Sequence, residues 1–252
     1  MLQILSLETF AKTTSKKVNV GLTGTCAKAE FKFIGKCPGR PKDPLPFRIF
    51  NRNKKCSVKY DIPWQAAFIQ KDDGKHFCGG TLINERFILT AAHCVKYKIL
   101  SGILIGPLKP DDMHVVLGEK DLLEDEGTEV TIDISDIILH EDYEFLKHQY
   151  DIALLRLKDK VQLNNHIKLA CLPLEEPRVG EYILTSGWGQ QLDRQPGTNL
   201  LQVALPIMSR EKCNDIYENE DINERHICFQ SQKDLGTCFG DSGGTSNTLH
   251  FY

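Results

Sequence analysis

Three short segments carry side chains that could act together in chemistry. His93 stands beside a cysteine, Asp151 begins an apolar run, and Ser242 lies in a glycine-rich turn. A serine hydroxyl is a poor nucleophile at neutral pH, so it needs a base to accept its proton and an anion to orient that base. The three residues supply this set, with Ser242 as nucleophile, His93 as general base and Asp151 as the orienting anion.

The glycines around Ser242 meet a second chemical need. A backbone N–H group can approach a developing oxyanion closely only where no side chain intervenes. We therefore expect the N–H groups of Gly240 and Ser242 to form an oxyanion hole. Taken singly, each segment also fits a structural role: a histidine beside a disulfide, an aspartate in a turn, a glycine-rich surface turn. The catalytic interpretation rests on their combination.

Composition and charge exclude several classes of protein. The chain has 252 residues, of which 41% are hydrophobic and 26% charged, which is typical of a globular protein. Residues 1–48 hold nine Lys/Arg and three Asp/Glu, a balance of +6. Because the net charge of the chain is −3, the remaining residues carry −9. This acidic body argues against nucleic-acid binding, which needs concentrated Lys and Arg. The apolar runs also fall short of the ~20 residues of a membrane span.

Cysteine usage indicates the compartment. The chain has nine cysteines and no Cys-x-x-Cys pair, which favours disulfides in an oxidising environment over a structural zinc site. An odd count leaves at least one thiol without a partner in the chain. We therefore expect an extracellular, secreted protein, although Met1–Leu7 is too short and too quickly followed by Glu8 for a clear signal peptide.

The elements that must position these residues are mostly strands. Short β-rich runs separated by turn signals predict a sandwich or barrel, with one clear helix at Ser209–Tyr217. Four prolines between Pro38 and Pro46 predict an extended linker, which ends at a candidate cleavage site, Arg48–Ile49. The main predicted strands are Trp64–Gln70, Phe77–Ile83, Arg86–Thr90, His114–Gly118, Val130–His140, Ile152–Leu157, Tyr182–Ser186 and Leu200–Pro206.

Together with their flanking motifs, these segments resemble the trypsin/chymotrypsin-like serine peptidases, the S1 family. The resemblance implies an all-β fold of two antiparallel six-stranded β-barrels with the active site between them. It implies peptide-bond hydrolysis through an acyl-enzyme without a catalytic cofactor. The motifs stand in family order: Pro63-Trp64-Gln65, Cys78-Gly79-Gly80-Thr81-Leu82-Ile83, Thr90-Ala91-Ala92-His93-Cys94, Asp151-Ile152-Ala153-Leu154-Leu155-Arg156-Leu157, Cys171-Leu172-Pro173, Ser186-Gly187-Trp188-Gly189 and Gly240-Asp241-Ser242-Gly243-Gly244.

The same resemblance implies a zymogen. Cleavage between Arg48 and Ile49 would release an amine that pairs with Asp241, so 1–48 is a basic propeptide or light chain and 49–244 the peptidase domain. The expected partners are protein or peptide substrates, an activating protease and protein protease inhibitors. One departure is Ile49-Phe50-Asn51-Arg52, where the family usually has Ile-Val-Gly-Gly.

The resemblance also implies disulfides. The expected pairs are Cys78–Cys94, Cys213–Cys228 and Cys37–Cys171, the last one tethering the light chain. Cys238 usually pairs with a cysteine well after the nucleophile, and none follows it here. Cys26 and Cys56 remain, and their pairing with each other stays open.

Two further features of the sequence bear on substrate preference and on activity. The position six residues before the nucleophile is Gly236, where trypsin-like members have Asp, so we expect a non-basic preference unless a register shift brings in Asp234. The chain ends ten residues after Ser242 with an atypical tail, 245–252. This predicts an incomplete second barrel and weak or no activity of this chain. The alternative function is that of an inactive protease homologue acting as a binding or regulatory protein.

An acidic loop completes the expectations. Glu119–Glu129 holds six carboxylates in eleven residues with one lysine. Calcium takes six to eight oxygen ligands, and calcium-binding family members carry Glu at the first, eighth and last positions of a loop of this length. A structural calcium ion is therefore expected, and the alternative is a solvated acidic turn. The expected ligands are Glu119, Asp121, Glu124, Glu126 and Glu129.

Overall fold

The computed structural model describes residues 62–100, 103–147, 149–173, 175–190, 197–217, 222–230 and 237–249, and the backbone of Leu2–Gln3. The predicted cleavage site Arg48–Ile49, the expected pocket residue Gly236 and Cys37 lie outside these residues. The strands, in chain order, are β1 Leu2–Gln3, β2 Gln65–Gln70, β3 His76–Asn84, β4 Phe87–Thr90, β5 Tyr97–Leu100, β6 Ile103–Pro107, β7 Met113–Leu117, β8 Val130–Leu139, β9 Ala153–Leu157, β10 Tyr182–Gly187, β11 Leu201–Pro206, β12 His226–Ile227 and β13 Ser246–Leu249.

The first half of the molecule is a closed antiparallel barrel of six strands in the order β2-β3-β4-β9-β8-β7. Along β8 the buried residues alternate with exposed ones, so Ile132 and Ile134 face the interior, as a two-residue period requires. Phe68 and Leu155 from facing strands are fully buried in the same core. Closure leaves the barrel with no open sheet edge and gives the residues at its strand ends a rigid base.

The described part of the second half is an antiparallel sheet in the order β11-β10-β13. A helix, Arg210–Ile216, follows β11, and the Ser209 side chain caps it by accepting a hydrogen bond from Lys212 N at 3.3 Å. The disulfide Cys213–Cys228 joins this helix to the segment after β12. Two features thus agree with the sequence: a six-stranded barrel and a capped helix at this position. The expected second six-stranded barrel is represented by three strands among the described residues.

Several elements differ from the sequence prediction. A second helix, Ala92–Lys96, carries His93, and at five residues it is too short to show a helical period. A hairpin of β5 and β6 follows it directly, within an apolar run that has no alternation. The segment expected to be an atypical tail contains β13, which pairs with β10 through its backbone.

Candidate active site

His93 and Asp151 lie together because two neighbouring strands end at the same edge of the barrel. β4 and β9 are paired with Thr90 opposite Ala153, His93 follows β4 and Asp151 precedes β9. His93 Nδ1 lies 2.6 Å from Asp151 Oδ2, and the His93 backbone N–H donates to Asp151 Oδ1 at 2.7 Å. Because Nδ1–H donates to the carboxylate, Nε2 keeps the free lone pair that a general base needs.

Ser242 is held on the first barrel by its backbone. The Gly79 N–H donates to the Ser242 carbonyl at 2.8 Å, and the Thr90 hydroxyl donates to the Gly79 carbonyl at 2.8 Å. A Cβ on Gly79 would lie 3.0 Å from the Gly244 Cα, so a side chain at this position would push the Gly244 backbone away by a few tenths of an ångström. Within the described residues no hydrogen bond joins Ser242 Oγ to His93. Such bonds often tighten only when substrate binds, so the arrangement is compatible with an unliganded site.

The expected oxyanion hole has two uncommitted donors. The Phe239 carbonyl accepts a hydrogen bond from Gln190 N at 2.7 Å, and in a planar trans peptide the following N–H, that of Gly240, points the opposite way. Gly240 has φ +96°, which glycine tolerates without strain. In the part of the chain that the structure describes, the N–H groups of Gly240 and Ser242 make no hydrogen bond, so both are available to an oxyanion.

Asp241 turns away from the nucleophile into a cradle of backbone donors. Its Oδ1 accepts from Gly189 N at 2.7 Å and its Oδ2 from Cys238 N at 2.8 Å. A Cβ on Gly187 or Gly189 would overlap the carboxylate. Burial raises the pKa of Asp241, and the two N–H groups oppose that change. Among the described residues no cation contacts this carboxylate, so its negative charge could pair with a positive group.

His76 lies beside Gly240, where a Cβ on Gly240 would be 3.8 Å from the His76 ring, and the sequence did not indicate this position. Its ring meets the edge of Trp188 at a centroid distance of 5.5 Å, and its Nε2 is buried without a hydrogen-bond partner in the described region. Burial lowers the pKa of His76 to about 4, against a hydrogen bond to the Cys78 backbone that raises it. His76 stands two residues before a cysteine motif, but no spacing rule relates it to Trp188.

The cysteines stabilise the site. Cys78 and Cys94 form a disulfide with a Cα–Cα distance of 6.1 Å, which ties β3 to the helix that carries His93. Cys171 is also disulfide-bonded, and its expected partner, Cys37, lies outside the described residues. Cys238 is a free, exposed thiol.

The acidic loop holds its charges in a different way from the expected metal site. Burial raises the pKa of Glu119, and the charges of Glu129 and Glu126 add to it. Glu126 pairs with Lys120 at 3.1 Å, and the Glu129 carboxylate accepts from the N–H groups of Glu126 and Thr128 at 2.9 and 2.8 Å. Lys120 thus supplies the positive charge that a bound cation would supply.

The remaining expected ligands face their own backbone or solvent. Asp121 accepts a hydrogen bond from Leu123 N at 3.2 Å, and Glu124 is exposed. Across the described ranges, the only group of three metal-ligating side chains with ligand atoms within 4.8 Å of one another is Cys78, His93 and Cys94. Its two sulfurs are joined in a disulfide and are not available to a metal.

These observations define the class of trypsin-like serine proteases. The barrel is closed and antiparallel, and a histidine–aspartate pair lies at its edge. Within the described ranges Ser242 has two free N–H donors near it, and Asp241 is held by backbone N–H groups. The sequence model described as Trypsin matches residues 52–250. The chain belongs to this family. None of the helices that the structure describes has the length and apolar character of a membrane span.

Relatives and a solved structure agree. The chain is 38% identical to brachyurin of Leptuca pugilator over 193 residues, covering 76% of this chain and 78% of the relative. It is 33% identical to trypsin-1 of Astacus astacus over 194 residues, covering 75% and 78%. The solved structure of neuropsin, a serine protease of mouse brain, matches with a TM-score of 0.63 and 31% identity over 74% of this chain and 78% of that chain.

Proposed function

We propose that the chain is the zymogen of a secreted serine endopeptidase. The observation that carries this proposal is the His93–Asp151 pair at 2.6 Å, which leaves Nε2 with a free lone pair to act as the base. The extracellular location is supported by two disulfides between described cysteines and by the similarity to brachyurin and to kallikrein-1E2 of Equus caballus.

The geometry supports acyl transfer in two half-reactions. His93 Nε2 accepts the Ser242 hydroxyl proton while Oγ bonds to the substrate carbonyl carbon, and Asp151 stabilises the imidazolium that forms. The Gly240 and Ser242 N–H groups then stabilise the oxyanion, and one such donor is worth about 10²–10³ in kcat. His93 returns the proton to the leaving amine. Water, deprotonated by the same nitrogen, hydrolyses the acyl-enzyme and regenerates Ser242.

Asp241 supports activation by cleavage after Arg48. Its carboxylate is partly buried, is held by two backbone N–H groups, and has no cation among its described neighbours. The amine of Ile49, released by cleavage, would supply that charge and hold the turn that contains Gly240 and Ser242. Loss of one partner from a buried pair costs about 3–5 kcal/mol, which is enough to act as a switch.

The substrate class of the family is peptides and proteins. A preference for a non-basic residue before the scissile bond rests on Gly236, since a glycine offers no carboxylate to Lys or Arg. Protein inhibitors and an activating protease are the further partners of this proposal.

A structural calcium ion in the loop Glu119–Glu129 is part of the same proposal. Burial, and then the charges of Glu129 and Glu126, raise the pKa of Glu119, and a bound cation would relieve this repulsion between the carboxylates. Calcium would displace the Lys120 ammonium from Glu126. The ion would stabilise the loop and take no part in the reaction.

One observation favours a second function, that of a non-catalytic protease homologue that acts as a binding partner. Ser242 Oγ makes no hydrogen bond to His93 within the described residues, and His93 Nε2 lies 3.7 Å from Cys94 Sγ. If this geometry persists after cleavage and on substrate binding, the serine is not activated.

Hydrolysis by the cleaved chain separates the two functions. The chain is cut after Arg48 and offered fluorogenic peptides with an apolar, an acidic or a basic residue before the scissile bond. We expect weak cleavage, confined to the apolar series, and its loss in Ser242→Ala and His93→Ala. A folded, cleaved chain that hydrolyses none of these peptides would favour the non-catalytic homologue. Turnover that persists unchanged in Ser242→Ala would come from a contaminant and would not support the proposal.

A further inference from the structure

The residue before Asp151 has an unusual backbone conformation. Tyr150 has φ +53°, and among the described residues it is the only non-glycine residue with a positive φ. This region is sterically disfavoured for a bulky side chain, so the surroundings must hold Tyr150 there. The Tyr150 carbonyl accepts a hydrogen bond from Ile152 N at 2.7 Å, which closes a tight turn around Asp151. The conformation of Tyr150 therefore determines where the Asp151 carboxylate points.

Two side chains hold the Tyr150 ring. The ring stacks on His140, with a centroid distance of 4.8 Å and an interplanar angle of 22°. The guanidinium of Arg225 lies 4.6 Å from the ring centroid, within the range of a cation–π interaction. The His140 side chain is fully buried, whereas that of Arg225 is 28% exposed.

The residue before Tyr150 is held by the same segment of chain. Gln149 Oε1 accepts hydrogen bonds from Asn223 Nδ2 at 3.2 Å and from the Arg225 guanidinium at 3.4 Å. The backbones of Gln149 and Glu144 exchange two hydrogen bonds of 3.1 and 3.3 Å. Both residues that precede Asp151 are thus fixed from outside the turn.

Arg225 and Asn223 belong to the other half of the molecule. The segment that contains them continues into Phe229, which forms a bridge with Ile207 at the end of β11. Met208 N donates to the Cys228 carbonyl at 2.9 Å in the same place. The contact with Tyr150 therefore crosses from the second-half sheet to the edge of the first barrel, where His93 and Asp151 lie.

We propose that Arg225 is a positioning residue that acts through Tyr150. Its guanidinium holds the ring, the ring holds the left-handed turn, and the turn directs the Asp151 carboxylate onto His93 Nδ1. Packing of the second half thereby controls the alignment of a residue pair in the first barrel. This role rests on the proposed function, because it concerns the base of the serine protease reaction.

The test reads the His93–Asp151 hydrogen bond directly and needs no catalytic activity. A proton in a hydrogen bond of 2.6 Å to a carboxylate resonates far downfield, so the full chain with ¹⁵N-labelled histidine is examined by NMR for the His93 Nδ1–H signal. We expect the signal in the wild type, its loss or upfield movement in Arg225→Met and Tyr150→Leu, and its retention in Arg225→Lys and Tyr150→Phe.

A matched control separates positioning from general destabilisation. Arg156 also lies over an aromatic ring, Phe87 at 5.6 Å, away from Asp151, so Arg156→Met should leave the signal unchanged. In a chain that reacts with a fluorophosphonate, Arg225→Met should also slow labelling by about 10²-fold, the effect of a misplacement of about 1 Å.

Three results would overturn the proposal. The first is an unchanged signal in Arg225→Met. The second is a loss of the signal in Arg156→Met as large as that in Arg225→Met. The third is the absence of a downfield signal in the wild type. Where Tyr150→Leu does not fold, Arg225→Met decides, because this side chain is partly exposed and its replacement keeps most of its length. A chain that shows the expected NMR pattern but does not react with the fluorophosphonate would retain the positioning role and lose the proposed activity.

Discussion

Acid should destabilise the folded chain through His76. The ring lies partly buried against Trp188 with its Nε2 fully buried, and this burial lowers the pKa of His76 from 6.5 to about 4. The unfolded chain therefore binds a proton at this histidine between pH 6.5 and 4, and the folded chain does not. Stability from neutral His76 is complete above pH 6.5 and is lost as the pH falls towards 4.

The size of the effect follows from the two pKa values. The difference between 6.5 and about 4 corresponds to about 3 kcal/mol in the free energy of unfolding across this pH range. Burial also lowers the pKa of His114 and His140, so the wild-type curve contains their contributions as well. Only the difference between the wild type and a His76 variant isolates the effect.

Urea unfolding followed by Trp fluorescence at pH 4 to 7 measures it. His76→Phe keeps a ring against Trp188 and removes both the titration and the unpaired Nε2, so at pH 7 we expect a change within about 1 kcal/mol. Below pH 6.5 the variant should lose about 3 kcal/mol less stability than the wild type. His166→Phe, at an exposed histidine, is the control and should follow the wild type. Parallel curves for His76→Phe and the wild type would refute the reasoning.

Three further predictions concern activation, calcium and the aspartate cradle. Cleavage after Arg48 should give two bands only on reducing gels, whereas Cys171→Ser should give two without reductant; two bands from the wild type without reductant would contradict the tether. Millimolar calcium should raise the thermal midpoint, and Glu126→Gln should abolish the rise; calorimetry without binding would leave a solvated acidic turn. Gly189→Ala should displace the Asp241 carboxylate and lower peptidase activity after cleavage by at least about 10²-fold, with full activity as the contradicting result.

The strands of the first barrel could be predicted within about one residue, because alternating burial and turn residues are local signals. Two strands show this most directly. In β8 buried residues alternate with exposed ones, and β9 is a short, nearly continuous apolar sequence. The helix Ala92–Lys96 could not be found, because five residues give no helical period. The strand β13 could not be found either, since it pairs through backbone groups and carries polar side chains.

The residue types of the site could be predicted, but their supports could not. His93, Asp151 and Ser242 are conspicuous because each lies in a motif whose chemistry complements that of the others. The contacts of Tyr150 with Arg225 and of His76 with Trp188 join residues far apart in the chain. Neither residue spacing nor composition predicts such contacts, because they depend on how distant segments of the chain pack together.

The most direct test of the account is covalent labelling of Ser242. The chain cleaved after Arg48 is treated with a fluorophosphonate, and intact mass and peptide mapping locate the adduct. We predict one adduct per chain on the peptide that contains Ser242, none in Ser242→Ala, and labelling slowed by at least about 10³-fold in His93→Ala. Folded, cleaved protein that stays unlabelled, or that carries its adduct on another residue, would contradict a serine protease with Ser242 as its nucleophile.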